Sequence, residues 1–203
     1  MPTAHMKKEL RMVVTLSSFV FLVMMGLSLI SPVLPLYAMA FGASVFMVSM
    51  LVAAFAVSRM LLDLPAGLLG SRYPPKSLML FGLALISSSS VLCALAPNYW
   101  VLLIGRIIEG AGSGFYTTMS TTLLVMSVPQ ENRGKYMSIF TAMLLLGGIT
   151  GPGIGGLVAS QWGLRAPFFF YAMVTAIGFV LVLLLIERSE TPRAKDSISL
   201  LDL

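Results

Sequence analysis

The sequence predicts an all-α integral membrane protein, a bundle of six transmembrane helices. Three observations predict it. Of the 203 residues, 58% are hydrophobic and only 10% are charged, against roughly 25% charged in ordinary soluble domains. The apolar residues gather into six runs, each near the roughly 20 residues needed to cross a bilayer core about 30 Å thick. Strand-like alternation is absent, and a lone segment in lipid satisfies its own backbone only as a helix. A soluble fold of this size could not hide so much apolar surface and keep a polar coat. A water-soluble enzyme, a disordered chain and a nucleic-acid binder are therefore excluded. The mean hydropathy of +0.95 agrees, and the pI near 9.6 is no sign of DNA, because the basic residues lie in short loops.

The first run extends from about Met12 to Tyr37 and ends at the turn formers Phe41-Gly42-Ala43-Ser44. The second covers Val45 to about Leu69 and is closed by Ser71-Arg72-Tyr73-Pro74-Pro75-Lys76. The third, Ser77 to Ala96, stops at Pro97-Asn98-Tyr99. The fourth, Trp100 to Val128, meets the polar stretch from Pro129 to Lys135. The fifth spans Tyr136 to Ser160 and breaks at Gln161-Trp162-Gly163-Leu164-Arg165. The sixth runs from Pro167 to Ile186, and a polar tail, 187–203, follows. Pro, Gly and Asn clusters of this kind are the usual punctuation between helices.

Ten of the thirteen Lys and Arg residues fall on one side of this arrangement: in segment 1–11, in the loops after the second and fourth runs, and in the tail. The opposite loops carry only Arg165. The positive-inside rule then makes both termini cytoplasmic, in a multi-pass protein of the cell membrane. Tyr99, Trp100 and Trp162 fall at the outer ends, where an aromatic belt belongs. A cleaved signal peptide is the rival reading of the first run, since Ala38-Met39-Ala40 resembles a cleavage site. Its apolar stretch is too long for that, and five more runs follow. With one cysteine, Cys93, and one histidine, His5, in the polar N-terminal segment, neither a disulfide framework nor a metal site is expected, and no cofactor.

Four charges lie inside the runs: Arg59 and Asp63 in the second, Arg106 and Glu109 in the fourth. Charges at membrane depth are costly and by default face the bundle interior and mark function. The plainer reading is mutual neutralisation, because each pair, spaced i,i+4 or i,i+3, shares a helix face. At 1.5 Å per residue, Asp63 is about 27 Å below Val45, near the cytoplasmic interface, whereas Glu109 is about 14 Å below Trp100. Glu109 is thus the acid nearest the midplane and the candidate to take up and release a proton, with Arg106 as its partner; Arg59 and Asp63 complete the candidate proton and substrate pathway. Gly147, Gly151 and Gly155 recur every four residues and form one smooth face for close helix packing, with Pro152 to bend the helix. Gly110, Gly112 and Gly114 are a smaller version in the fourth run. Among the 15 methionines, Met24, Met25, Met50, Met60, Met119 and Met143 read either as the soft lining of a binding site or as ordinary packing.

These residues resemble the N-terminal half of a major facilitator superfamily transporter, most closely its drug:proton antiporter branch. The antiporter motif G-x-x-x-G-P-x-x-G-G is matched at Gly147, Gly151, Pro152, Gly155 and Gly156. The fourth-run motif R-x-x-x-G-x-G is matched at Arg106, Gly110 and Gly112. The loop signature G-x-x-x-D-R-x-G-R-K is matched at Gly67, Arg72 and Lys76, but Ser71 stands where the Asp is expected. Arg133 fits the next cytoplasmic loop. The resemblance implies half of a twelve-helix body that moves a small-molecule substrate by alternating access, with protons as coupling ion. It implies gating by the Gly67–Lys76 loop and proton transfer at Arg106. The missing C-terminal half, or a second copy of the same chain, is then the expected partner beside the lipid bilayer. The polar tail reads as the start of a linker between halves, and a truncated product is one reading of the length. A non-transporting membrane module is the alternative; it would not need the arginine and glycine motifs. An integral membrane enzyme is disfavoured, because its acids and bases would cluster at one depth.

Overall fold

The computed structural model describes residues 4–186, of which positions 4–9 are described by backbone only; the tail 187–203, including Arg188, Arg193 and Lys195, lies outside the described residues. Seven α-helices and one 3-10 turn make up this span. They are α1 (Ala4–Ile30), α2 (Leu34–Met39), α3 (Val45–Gly70), α4 (Pro75–Ala94), α5 (Tyr99–Met126), α6 (Arg133–Trp162) and α7 (Ala166–Leu185). Each apolar run has become helix, with ends shifted by a few residues.

The first run differs most from expectation. Its helix begins before Met12, at Ala4, and the run is divided at Ser31-Pro32-Val33 into α1 and the short α2. Pro32 has no N–H to donate and disfavours helical backbone at Ser31, and here the ladder of α1 ends just before it. Pro65 and Pro152, by contrast, sit inside unbroken α3 and α6. Polar caps start two helices: Ser44 accepts from the Met47 N–H, and Asn98 from the Val101 N–H.

Five helical stretches are long and apolar enough to cross a membrane: α1 from Leu10, α3, α4, α6 with its preceding turn, and α7. The fourth run, α5, is the exception, because it carries Arg106 and Glu109 among glycines, serines and threonines. It is instead wrapped by protein, packing along α3 and α4 and touching α1 and α6.

The helices pair by a rule that repeats. Count α1 with α2, α3 and α4 as one triplet, and α5, α6 and α7 as the other. The first helix of each triplet packs on the second of the other, α1 on α6 and α5 on α3; the third helices, α4 and α7, pack together. The close contacts give the directions. Gly147, Gly151 and Gly155 of α6 meet the backbone at Phe21, Met25 and Leu29 of α1, so these two helices run parallel. Gly110 and Gly114 of α5 meet the backbone at Phe55 and Arg59 of α3, also parallel and in the same four-residue step. Gly82 of α4 meets Gly112 and Tyr116, whereas Cys93 meets Gly105, so α4 and α5 are antiparallel. Ser87 Oγ donates to Ala172 O (3.1 Å) and Lys76 Nζ to Leu183 O (2.9 Å), which makes α4 and α7 antiparallel too.

One end of the bundle is closed by aromatic residues. Tyr37 of α2 stacks near Phe41 and Phe168, and its hydroxyl donates to Cys93 O at 3.2 Å, near the end of α4. Tyr99 is buried here rather than facing out, and its hydroxyl donates to Met47 O (2.9 Å), whereas Trp100 and Trp162 are exposed as a belt requires. Of the methionines, Met24 and Met119 are core residues, while Met50, Met60 and Met143 are on the outer surface.

The α1–α6 seam can be tested by adding one methyl group. A Cβ at Gly155 would collide with Leu29 O, a backbone atom, whereas at Gly153 and Gly156 the space is open. Gly155→Ala is expected to destabilise the bundle by about 1–3 kcal/mol, the usual penalty of overpacking. Gly156→Ala should leave unfolding in detergent within about 0.5 kcal/mol of the parent.

Candidate functional site

Two seams meet on α5, and the intramembrane charges lie along them. Glycines on α5 let α3 and α4 come within backbone contact on either side, so a side chain between them is sealed from outside. Arg106 and Glu109 occupy that position. Their relative exposures are 6% and 0%. Arg106 Nη1 donates to Glu109 Oε2 at 2.7 Å. The guanidinium carbon also lies 4.4 Å from the centroid of the Phe55 ring of α3, a cation–π contact that holds the arginine against the neighbouring helix. The pair is incompletely satisfied: Arg106 Nε and Glu109 Oε1 are buried without a hydrogen-bond partner among the described residues. Groups left so are rare in native interiors, and each calls for an explanation.

Arg59 and Asp63 behave differently. They do not pair with one another, although their spacing permits it. Arg59 Nη2 donates across to Thr117 Oγ1 (3.4 Å), and Asp63 Oδ1 accepts from Thr118 Oγ1 (3.2 Å), both on α5. Ser58 Oγ adds a bond to Ile107 O (2.7 Å). The expectation of mutual neutralisation thus holds for the α5 pair and not for the α3 pair. The reason is geometric: α5 lies parallel against α3 and offers the adjacent hydroxyls of Thr117 and Thr118, and Gly114 opens the space beside Asp63. Neither Thr117 nor Thr118 was legible as a partner, because a shared helix face does not say what lies opposite.

The glycines of the antiporter-like stretch divide into two faces. Gly147, Gly151 and Gly155 are buried against α1, whereas Gly156 is exposed and Pro152 half-buried. Gly110 and Gly112 serve opposite neighbours, α3 and α4. The expected gate residues lie at the other end of the bundle from Tyr37. Gly67, Ser71, Arg72 and Arg133 are exposed, and the Ser71 hydroxyl is turned back onto Leu68 O (2.7 Å). Lys76 is engaged elsewhere: its ammonium bonds Leu183 O and Ile186 O, the last carbonyls of α7. A cation there satisfies orphan acceptors and the negative end of the helix dipole.

A bundle of membrane-length apolar helices around a sealed ion pair defines a multi-pass membrane protein, and nothing in its composition points to catalysis. By sequence the chain belongs to the major facilitator superfamily, whose family description matches residues 16–199. It is similar to the quinolone resistance protein NorA of Staphylococcus aureus, 33% identical over 168 residues, which is 83% of this chain and 43% of the relative. It is also similar to an uncharacterized MFS-type transporter of Methanocaldococcus jannaschii, 27% identical over 178 residues, 88% of this chain and 46% of the relative. The chain thus spans about half the length of the curated relatives it matches.

The ion pair predicts an asymmetry between single and double changes. Removing one partner strands the other as an uncompensated buried charge, at a cost of about 3–5 kcal/mol. Arg106→Met and Glu109→Leu alone should each lower the melting temperature in detergent more than the double variant does.

Proposed function

We propose that this chain is a six-span N-terminal half, with both termini cytoplasmic, that works within a twelve-helix body. That body moves small solutes by alternating access, in proton-coupled efflux of drug-like or metabolite substrates. The observation that carries this reading is the Arg106–Glu109 pair, buried on α5, the long helix that falls outside the membrane-length apolar stretches. Burying a charge pair in lipid is expensive, and a merely structural helix has cheaper ways to pack. The name of the Staphylococcus relative, a quinolone resistance protein, supports drug-like molecules as the substrate class. Segment 1–11 is then cytoplasmic, and 187–203 begins the linker.

In this mechanism a proton reaches Glu109 from the outer side. Protonation weakens the pairing with Arg106 and favours outward release of substrate, and reorientation returns the proton to the cytoplasm. Arg59 and Asp63 line the same pathway, and the Gly67–Lys76 loop with Arg133 forms the cytoplasmic gate. Exposed apolar side chains on α3 (Val52, Val57, Leu64) and α6 (Leu145, Ile149, Leu157) supply surface for the second half of the body. That half is a separate C-terminal half or a second copy. Two copies of one orientation suffice, because the halves of this fold are related by an axis along the membrane normal.

A second reading is a membrane module without independent transport. Vesicles with an imposed pH gradient separate the two. Dye efflux that collapses with the gradient, from particles with the detergent-corrected mass of a dimer, supports the transporter built from two copies. Absence of flux at every protein-to-lipid ratio supports the module. Glu109→Gln is expected to abolish gradient-driven efflux, and full retention would remove Glu109 from the mechanism.

A further inference from the structure

Tyr171 of α7 is fully buried, and its hydroxyl has no hydrogen-bond partner among the described residues. A tyrosine placed only to fill space would be a phenylalanine, since a buried phenol without a partner costs roughly 1–3 kcal/mol. Its ring is seated against α1 at Gly26, where a Cβ would collide with the ring carbon Cδ2. The ring is therefore held in one place, and its hydroxyl with it.

The register of the helices puts Tyr171 at the level of the ion pair. On α5, Gly105 faces Cys93 of α4 and Gly112 faces Gly82 and Ile86, so Glu109, between them, stands opposite the Ser87 turn of α4. Ser87 in turn bonds Ala172 O, the residue after Tyr171. Glu109 and Tyr171 therefore share one level of the bundle, and Tyr171 lies within electrostatic reach of both Glu109 and Arg106. No direct bond joins them, yet Glu109 Oε1 and Tyr171 Oη are both buried and both unpartnered. One acceptor and one donor left over at the same depth are the fittings of a buried water, which takes two to four polar partners.

We propose that a buried water bridges Glu109 Oε1 and Tyr171 Oη between α5 and α7, and that Tyr171 is the positioning residue for the acid that exchanges the proton. In the bridge the phenol donates to the water and the water donates to the carboxylate oxygen. When Glu109 takes up a proton the water reorients, with no bond made or broken in Tyr171. Arg106 Nε, also unpartnered, is a third group available to the same water. The proposal rests on the reading of Glu109 as the proton-exchanging acid. The other titratable groups packed near this level are Arg106 on the same helix and Cys93 from α4, which lies against Gly105; Arg59 and Asp63 of α3 bond Thr117 and Thr118 two turns further along α5, where Tyr116 is also buried with its hydroxyl unpartnered. Between Met12 and Ile30, α1 contributes none, and α6 carries only Arg133, Lys135 and Tyr136 at its start.

Infrared difference spectra of the whole chain in lipid nanodiscs, recorded across a pH titration, test both layers. The expected result is a protonated-carboxyl C=O band that Glu109→Gln removes. Tyr171→Phe, which keeps the ring on Gly26, should move that band to higher wavenumber and displace its midpoint by about half a pH unit or more. Tyr116→Phe, two turns further along α5, should leave it in place. A Glu109 band that is the same in Tyr171→Phe overturns the bridge and leaves the proton reading standing. Equal displacement by Tyr116→Phe also overturns the bridge, by showing a general response of the core. Absence of any band that depends on Glu109 overturns the proton reading, and Tyr171's part in it falls with it.

Discussion

Everything in this bundle depends on how closely helix backbones approach one another. In water, helices associate because burying their apolar faces is favourable. In lipid that drive is missing between helices, since the acyl chains are as apolar as leucine, and close packing with hydrogen bonds must replace it. The chain achieves this with glycines at four-residue spacing. Three on α6 face the α1 backbone, two on α5 face α3, and Gly82 with Gly112 closes α4 on α5. Added Cβ atoms at these positions would collide with backbone, which cannot move aside as a flexible side chain can.

The buried ion pair depends on the same approach. Arg106 and Glu109 sit on a helix whose two flanks are backbone-tight, so bulk water has no route along either seam. Phe55 covers the guanidinium from α3, and Cys93 with Ser89 packs against Gly105 from α4. The carboxylate therefore has one strong partner and one free oxygen. That combination suits a group whose protonation is to be felt: its charge is matched in one state and not in the other. Arg59 and Asp63, half-buried and bonded only to threonine hydroxyls, are less strictly held.

The helices were legible because lipid demands long apolar runs, and each run is a helix in the structure. The division of the first run was legible in principle from Pro32. The ion pair on α5 was legible because its two members are neighbours on one helix. What lay beyond reach was everything that depends on which helix faces which. Thr117 and Thr118 are ordinary residues until α3 is laid parallel to α5. The bonds of Lys76 to the carbonyls of Leu183 and Ile186 are hidden until α7 ends beside it. Tyr171 is one aromatic in an apolar run until Gly26 and Glu109 are brought to its level. Periodicity reports the face a residue occupies, and pairing is a property of the whole chain.

The exchange of partners between the triplets bears on how the protein is made. Within this chain, α1 finds its glycine-lined partner only when α6 arrives, after α2 to α5 have been made. Until then its inner face, with Ser17 and Gly26, must wait in lipid or against a temporary neighbour. Neither triplet can seal itself, because the second helix of each belongs against the first helix of the other. Closure of the bundle thus waits for α6, and a nascent chain stopped before α6 has no native partner for α1 along that face.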